Sequence, residues 1–155
     1  MVRVLFVCLG NICRSPMAEA VFRARVKEKG WEDRFEIASC GTGKWHIGER
    51  PHPGTLEILD KYGIPHEGMR AQYLTGDEIL SYDYIIAMDR SNVENLEKMG
   101  VPRERVQMLT DFVPGSEGID VPDPYFDGRF DFVYDLVSTG TENLLRAIAE
   151  EKGWA

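Results

Sequence analysis

Four short apolar runs alternate along the chain with longer segments whose apolar residues recur every three or four positions. Val2 to Cys8 is nearly continuous in apolar, β-branched side chains, the pattern of a strand covered on both faces. Phe35 to Ser39, Tyr84 to Met88 and Val106 to Leu109 read as three further strands. Between them the period changes. Ser15-Pro16 predicts a helix start, with Ser15 as cap and Pro16 at the first helical position. Ala18, Val21, Phe22 and Val26 then form its buried stripe, and Gly30 closes it. His52-Pro53 leads into a second helix around Leu56, Leu59 and Tyr62, ended by Gly63, and Thr75 to Glu78 resembles a capping box opening a short one. Asp89 precedes a helix from Ser91 towards Met99. A last helix runs from Phe130 to about Glu150, with Val133, Leu136, Val137, Leu144 and Ile148 on one face. Residues 41–48 and 114–128, rich in Gly, Pro and Asp, read as loops.

Strands alternating with helices predict an α/β fold, a parallel sheet with helices on both faces. Ligands of such sheets bind beyond the carboxyl ends of the strands. Cys8 follows the first strand, Ser39 to Trp45 the second, Asp89 the third, and the 114–128 loop the fourth. These segments converge on one site.

Composition narrows the picture. At 155 residues without repeats or linkers, residues 1–155 are expected to form one domain. Hydrophobic residues at 43% and charged residues at 28% fit a soluble globular protein. No apolar run approaches the roughly 20 residues of a membrane span, and Met1 to Val7 is too short for a signal peptide, so a cytoplasmic location is expected. A net charge of −8, with Lys and Arg scattered, argues against a nucleic-acid partner. Three cysteines, Cys8, Cys13 and Cys40, contain no Cys-x-x-Cys pair, and no histidine stands at ligand spacing from them. Neither a metal nor a cofactor is expected, and the thiols should be free.

The segment Cys8-Leu9-Gly10-Asn11-Ile12-Cys13-Arg14-Ser15 carries the chemistry. Cys8 and Arg14 are separated by five residues between a buried strand and a helix start. A loop curled around a phosphoryl group turns its backbone N–H groups inward, and the helix N-terminus adds positive potential. Arg14 can then hold two phosphate oxygens. Cys8, at the base of this cradle, is favoured as a thiolate nucleophile by the same donors. Ser15 can donate to the sulfur. Gly10 permits close backbone approach, and Asn11 tolerates the left-handed conformation a curled loop needs. The segment is neither a Walker loop nor a dinucleotide-binding loop.

Val4 to Ala20, around Cys8-Leu9-Gly10-Asn11-Ile12-Cys13-Arg14-Ser15-Pro16, resembles the signature of the low-molecular-weight protein tyrosine phosphatases. The resemblance continues through Ser39 with Gly41-Thr42-Gly43, Gly63-Ile64, Met88-Asp89 with Ser91-Asn92, and Asp123-Pro124-Tyr125. It implies a four-stranded parallel sheet in the order 2-1-3-4 and a metal-independent hydrolase acting through a phosphocysteine at Cys8. Asp123 falls at the family's general acid, which then serves as base for water. Trp45 and Tyr125, with Ile12, would form the substrate walls. Ser39 would hydrogen-bond Asn11 and support the loop, and Cys13 would pair with Cys8 on oxidation. Cys40 is read as a packing residue. The partners implied are phosphotyrosine-containing proteins or small aryl phosphates, with inorganic phosphate as product, and the molecule is expected to be a monomer.

Three alternatives share parts of this pattern. Related arginine phosphatases carry Thr where this chain has Ile12, so Ile12 favours phosphotyrosine. Arsenate reduction on the same loop needs further cysteines downstream, and none follows Cys40. A phosphotyrosine-binding module without activity would be expected to lack Cys8 or Asp123, and both are present. The chain departs from the family's usual pattern at Pro51-His52-Pro53, at Arg70-Ala71-Gln72 and at Phe126, where a second tyrosine often stands.

Overall fold

Alternation along strand β1 (Val2–Cys8) sets up two cores, one on each face of the sheet. Val2, Val4, Phe6 and Cys8 point to one side, where they meet helices α1 (Arg14–Glu28), α2 (Pro53–Lys61) and α6 (Phe130–Lys152). Leu5 and Val7 point to the other, against Ile79 of α3 (Gly76–Leu80) and Val93 and Leu96 of α4 (Arg90–Lys98). The computed structural model describes residues 1–154. Among these, no helix is long and apolar enough to cross a membrane.

The sheet is parallel throughout, with β2 (Phe35–Gly41), β3 (Tyr84–Ala87) and β4 (Val106–Met108) arranged in the order β2-β1-β3-β4. Its register sets Cys8 beside Gly41 and Val7 beside Ala87, so the carboxyl ends of the three neighbouring strands form one rim. The chain leaves β1 for β2 on one side and then crosses to β3 on the other. That reversal opens the crevice in which doubly wound sheets bind ligands.

The helix stripes predicted for α1 and α6 are buried as expected. The start of α1 is not. Its cap is Cys13 and its first residue Arg14, which moves Pro16 to the third helical position and leaves Ser15 inside the first turn. The Ser15 hydroxyl is committed to other side chains, so the cap predicted for it does not form. In α2 the buried face is Thr55, Ile58 and Leu59, whereas Tyr62 lies outside and stacks on Tyr134 with ring centroids 4.0 Å apart. Helix α4 starts at Arg90 because Asp89 caps it, its carboxylate accepting from the Asn92 amide at 2.7 Å. The 114–128 loop contains one helical turn, α5 (Pro124–Asp127), capped by Asp123. Thr75 and Glu78 form the capping box expected of them.

Candidate active site

The segment from Cys8 to Ser15 curls because its carbonyls are tied to the chain outside it. Thr42 N–H donates to Cys8 O and Gly43 N–H to Leu9 O, both at 2.9 Å, while His52 N–H donates to Ile12 O at 2.7 Å. The buried Thr55 hydroxyl donates to Cys13 O at 3.1 Å. In a planar trans peptide the N–H points opposite to the C=O. The amides of Leu9, Gly10, Cys13 and Arg14 are therefore turned towards the concave side, where the first turn of α1 adds its positive end.

Asn11 makes the bend. At φ 57° it is the one non-glycine residue with positive φ among the described residues, in the left-handed region that Asn tolerates better than most. Its side chain is held on both sides. The Gln72 amide donates to Asn11 Oδ1 at 2.9 Å, and Asn11 Nδ2 donates to Ser15 Oγ at 2.8 Å and to Ser39 Oγ at 2.9 Å. Ser15 Oγ in turn lies 3.0 Å from Cys8 Sγ. Asn11, Ser15 and Ser39 thus stand behind the loop, not in the pocket.

Arg14 projects from the first turn of α1 and is almost wholly buried, at 2% exposure. Its Nη1 donates to Asp89 Oδ2 at 2.6 Å and to Val121 O at 3.0 Å, and its Nη2 lies 3.5 Å from Asp123 Oδ2. Nε is buried without a protein partner. Burial alone would weaken its charge, but Cys8, Asp89 and Asp123 around it outweigh that and raise its pKa above the usual arginine value. Asp89 therefore fixes the guanidinium plane while capping α4.

Cys8, Leu9, Gly10, Ile12, Cys13 and Arg14 form the floor of a pocket of about 120 Å³, and Trp45, Asp123 and Tyr125 form its walls. Nine residues singled out in the sequence meet here. Two others join them, His46 and Phe126, the latter marked in the sequence only as a departure from the family pattern. Trp45 and Phe126 are among the most exposed large apolar side chains, at 71% and 78%, so the mouth is an open aromatic collar. Tyr125 is braced by an edge contact to His52, which stacks on Phe130 with centroids 5.0 Å apart. Asp123 Oδ1 accepts from the Tyr125 amide at 3.1 Å, which joins the candidate acid to one wall.

Cys13 and Cys40 differ from Cys8 in surroundings. Cys13 packs with Ile12 and Ala71, and burial, aided by the charges of Cys8 and Asp123, pushes its thiol up to about 12. Cys40 lies in the core beneath the sheet with Leu5 and Val7, where burial also pushes its thiol up to about 12. It packs, as its sequence context suggested.

Asp89 as the partner of Arg14 was not legible in the sequence, because the two are 75 positions apart and Asp89 carries a cap signal that explains it fully. His46 had only its place beside Trp45 to mark it.

A model of the low molecular weight phosphotyrosine protein phosphatases matches residues 3–153. The chain belongs to that family. The low molecular weight protein-tyrosine-phosphatase YfkJ of Bacillus subtilis is 48% identical over 154 residues, covering 98% of this chain and 99% of the relative. The crystal structure of YfkJ superposes with a TM-score of 0.94 over 98% of this chain and 97% of that one. The protein-tyrosine-phosphatase PtpA of Staphylococcus epidermidis is 46% identical over 97% of this chain and 96% of its own length. DARP, a Drosophila arginine phosphatase, has the same fold with a TM-score of 0.84 and 30% identity over 96% of this chain and 98% of its own. The fold therefore serves more than one phosphoryl substrate within this group, and the pocket must decide among them.

Proposed function

We propose that this family member hydrolyses phosphotyrosine monoesters, in proteins or as small aryl phosphates, in two in-line displacements. The reading rests on one observation: Cys8, Arg14 and Asp123 line a single pocket whose mouth is aromatic. The phosphoryl group sits in the concavity of the loop, its equatorial oxygens facing the inward amides and Arg14, whose unpartnered Nε supplies a free donor. The Cys8 thiolate attacks phosphorus, the bond from phosphorus to the phenolic oxygen breaks, and Asp123 gives that oxygen its proton. In the second step Asp123 takes a proton from water as the water attacks phosphorus. The sulfur–phosphorus bond breaks, Cys8 leaves as a thiolate accepting from Ser15, and inorganic phosphate is released.

Substrate class follows from the walls. Trp45 and Tyr125 offer ring faces to a phenyl group, worth on the order of 1 kcal/mol each. Ile12 gives the floor an aliphatic side chain with no hydrogen-bonding group to meet a guanidinium. Cys13 is the reading's redox partner for Cys8: a peroxide oxidises Cys8 to a sulfenic acid, which condenses with the Cys13 thiol and releases water.

The test is hydrolysis of p-nitrophenyl phosphate in the presence of EDTA by wild type, Cys8→Ser and Asp123→Ala. The expectation is loss of turnover in the first variant and a large drop in kcat in the second. Full activity of Cys8→Ser would end the mechanism. Phosphotyrosine, phosphoserine and phosphoarginine peptides, compared by kcat/KM, decide the substrate.

A further inference from the structure

His52 stands between two prolines, and its ring has no part in the two displacements. Pro53 confines the residue before it to extended backbone, and His52 lies there at φ −54° and ψ 143°. Its N–H donates to Ile12 O at 2.7 Å, which fastens it to the catalytic loop. Its Nδ1 accepts from Gly54 N–H at 3.0 Å and so caps α2. The rest of the side chain is left to pack.

That packing is a stack of rings. Phe130, the first residue of α6, lies against the imidazole with centroids 5.0 Å apart and planes 26° apart. Phe130 is in turn pressed on Gly54, where a Cβ would stand 2.5 Å from its ring, and it packs on Ile12, Cys13 and Ala71. The imidazole is thus clamped from two helices, α2 through the cap and α6 through Phe130. Against this fixed ring rests Tyr125, 5.9 Å away at 77°, an edge arrangement that aromatic pairs favour.

Two further rings touch Tyr125, and neither is anchored in this way. Phe126, at 5.3 Å, belongs to the same turn, is 78% exposed and moves with it. His46, at 6.3 Å, stands on the 41–48 loop, its Nδ1 bonded to Glu49 three residues on. Of the three, His52 alone ties Tyr125 to the helical layer.

We propose that His52 is a positioning residue for the leaving-group end of the site. Its ring holds Tyr125, and through the turn in which Asp123 accepts from the Tyr125 amide it holds the carboxyl over the catalytic loop. The proposal rests on Asp123 acting as the acid. His52 does not line the pocket and acts only through Tyr125.

Two substitutions separate the ring from the cap. His52→Asp keeps an acceptor for Gly54 N–H and loses the ring, whereas His52→Phe keeps a ring and loses the cap. Two esters separate positioning of the acid from general damage. Phenol, like tyrosine, holds its proton to about pH 10 and needs a donor as it leaves, whereas p-nitrophenolate is stable as an anion.

The measurement is kcat/KM of the full chain on phenyl phosphate and on p-nitrophenyl phosphate. General acid catalysis is worth on the order of 100-fold or more, so an acid displaced but not removed should cost phenyl phosphate roughly tenfold. In the same His52→Asp protein p-nitrophenyl phosphate should lose at most about threefold. His52→Phe should stay within about twofold of wild type on both esters while its urea midpoint falls from the lost cap. In a Tyr125→Ala background, His52→Asp should change kcat/KM by less than about twofold, since the link is already cut. A wild-type ratio of the two esters in His52→Asp would overturn the proposal, and so would a loss in His52→Phe equal to that in His52→Asp. Should His52→Asp fail to fold, Phe130→Leu carries the test: a selective loss on phenyl phosphate supports the clamp, and an unchanged ratio breaks it. Failure of the acid assignment is separable, since it appears as full phenyl phosphate turnover in Asp123→Ala.

Discussion

Arg14 Nη1 lies 2.6 Å from Asp89 Oδ2, and in the same buried guanidinium Nε has no partner. One edge of the group is anchored to the protein and the other is left as an open donor. A buried N–H without an acceptor costs free energy, and an oxyanion seated in the loop removes that cost.

Inorganic phosphate should therefore stabilise the protein. At about 100 times its dissociation constant it should add about 2.7 kcal/mol, roughly 5–10 °C in Tm for a chain of this size. Arg14→Lys keeps the charge but loses the planar fork, and its shift should fall below half of that in differential scanning fluorimetry. An equal shift in both proteins would place the ion elsewhere.

Asp89 couples the site to stability. Asp89→Ala removes the acceptor of both Arg14 Nη1 and the Asn92 amide and should cost about 3 kcal/mol in urea unfolding, as a buried charge loses its partner. Asp89→Asn keeps an acceptor for the cap and should cost about 1 kcal/mol, yet lower kcat/KM roughly tenfold as the guanidinium loses its charged anchor. If the two variants lose stability equally, Arg14 does not depend on the charge of Asp89.

Alkaline pH should loosen the fold through its buried thiols. Cys13 and Cys40 are each pushed from 9.0 up to about 12, chiefly by burial. The unfolded chain releases these protons near pH 9 while the folded protein keeps them. Their contribution is thus intact below pH 9 and is lost as pH rises towards 12. Cys40→Ala should flatten the decline of unfolding free energy over that window by up to about 1.4 kcal/mol per pH unit. A parallel decline in variant and wild type would contradict the burial of Cys40.

Two glycines, one ending β2 and one in the loop that follows, should separate recognition from turnover. A Cβ on Gly43 would stand 1.8 Å from the Trp45 ring, a side chain that can swing away, so Gly43→Ala should raise KM for aryl phosphates several-fold with little change in kcat. A Cβ on Gly41 would stand 2.8 Å from the Leu9 carbonyl, backbone of the catalytic loop, so Gly41→Ala should lower kcat at least tenfold. Steady-state kinetics with one substrate decides, and identical effects at the two positions would count against both assignments.

The fold was legible because its signals are local. The β1 run, the stripes of α1 and α6 and the Thr75 box lie in single stretches of sequence, and the order of strands followed from the family likeness. The loop from Cys8 to Ser15 was legible for the same reason. Ser15 misled because Ser-Pro is a strong cap signal, whereas the tertiary structure uses the hydroxyl for Cys8 and Asn11 and starts α1 two residues earlier. Tyr62 fitted a helical stripe but found Tyr134 at the surface. Asp89 with Arg14 is a pairing between distant segments that no periodicity announces.

Asp123 accepts from the backbone of Tyr125, so in the proposed mechanism the proton carrier and a recognition surface ride on one short turn. On that reading a ring seated against Tyr125 should carry the carboxyl to the leaving oxygen, and a ring that does not seat should leave it behind. Discrimination among phosphate esters is then paid out in the rate of bond cleavage, and weakly bound but poorly fitting esters pass through the mouth as bystanders, occupying the cradle without being cut.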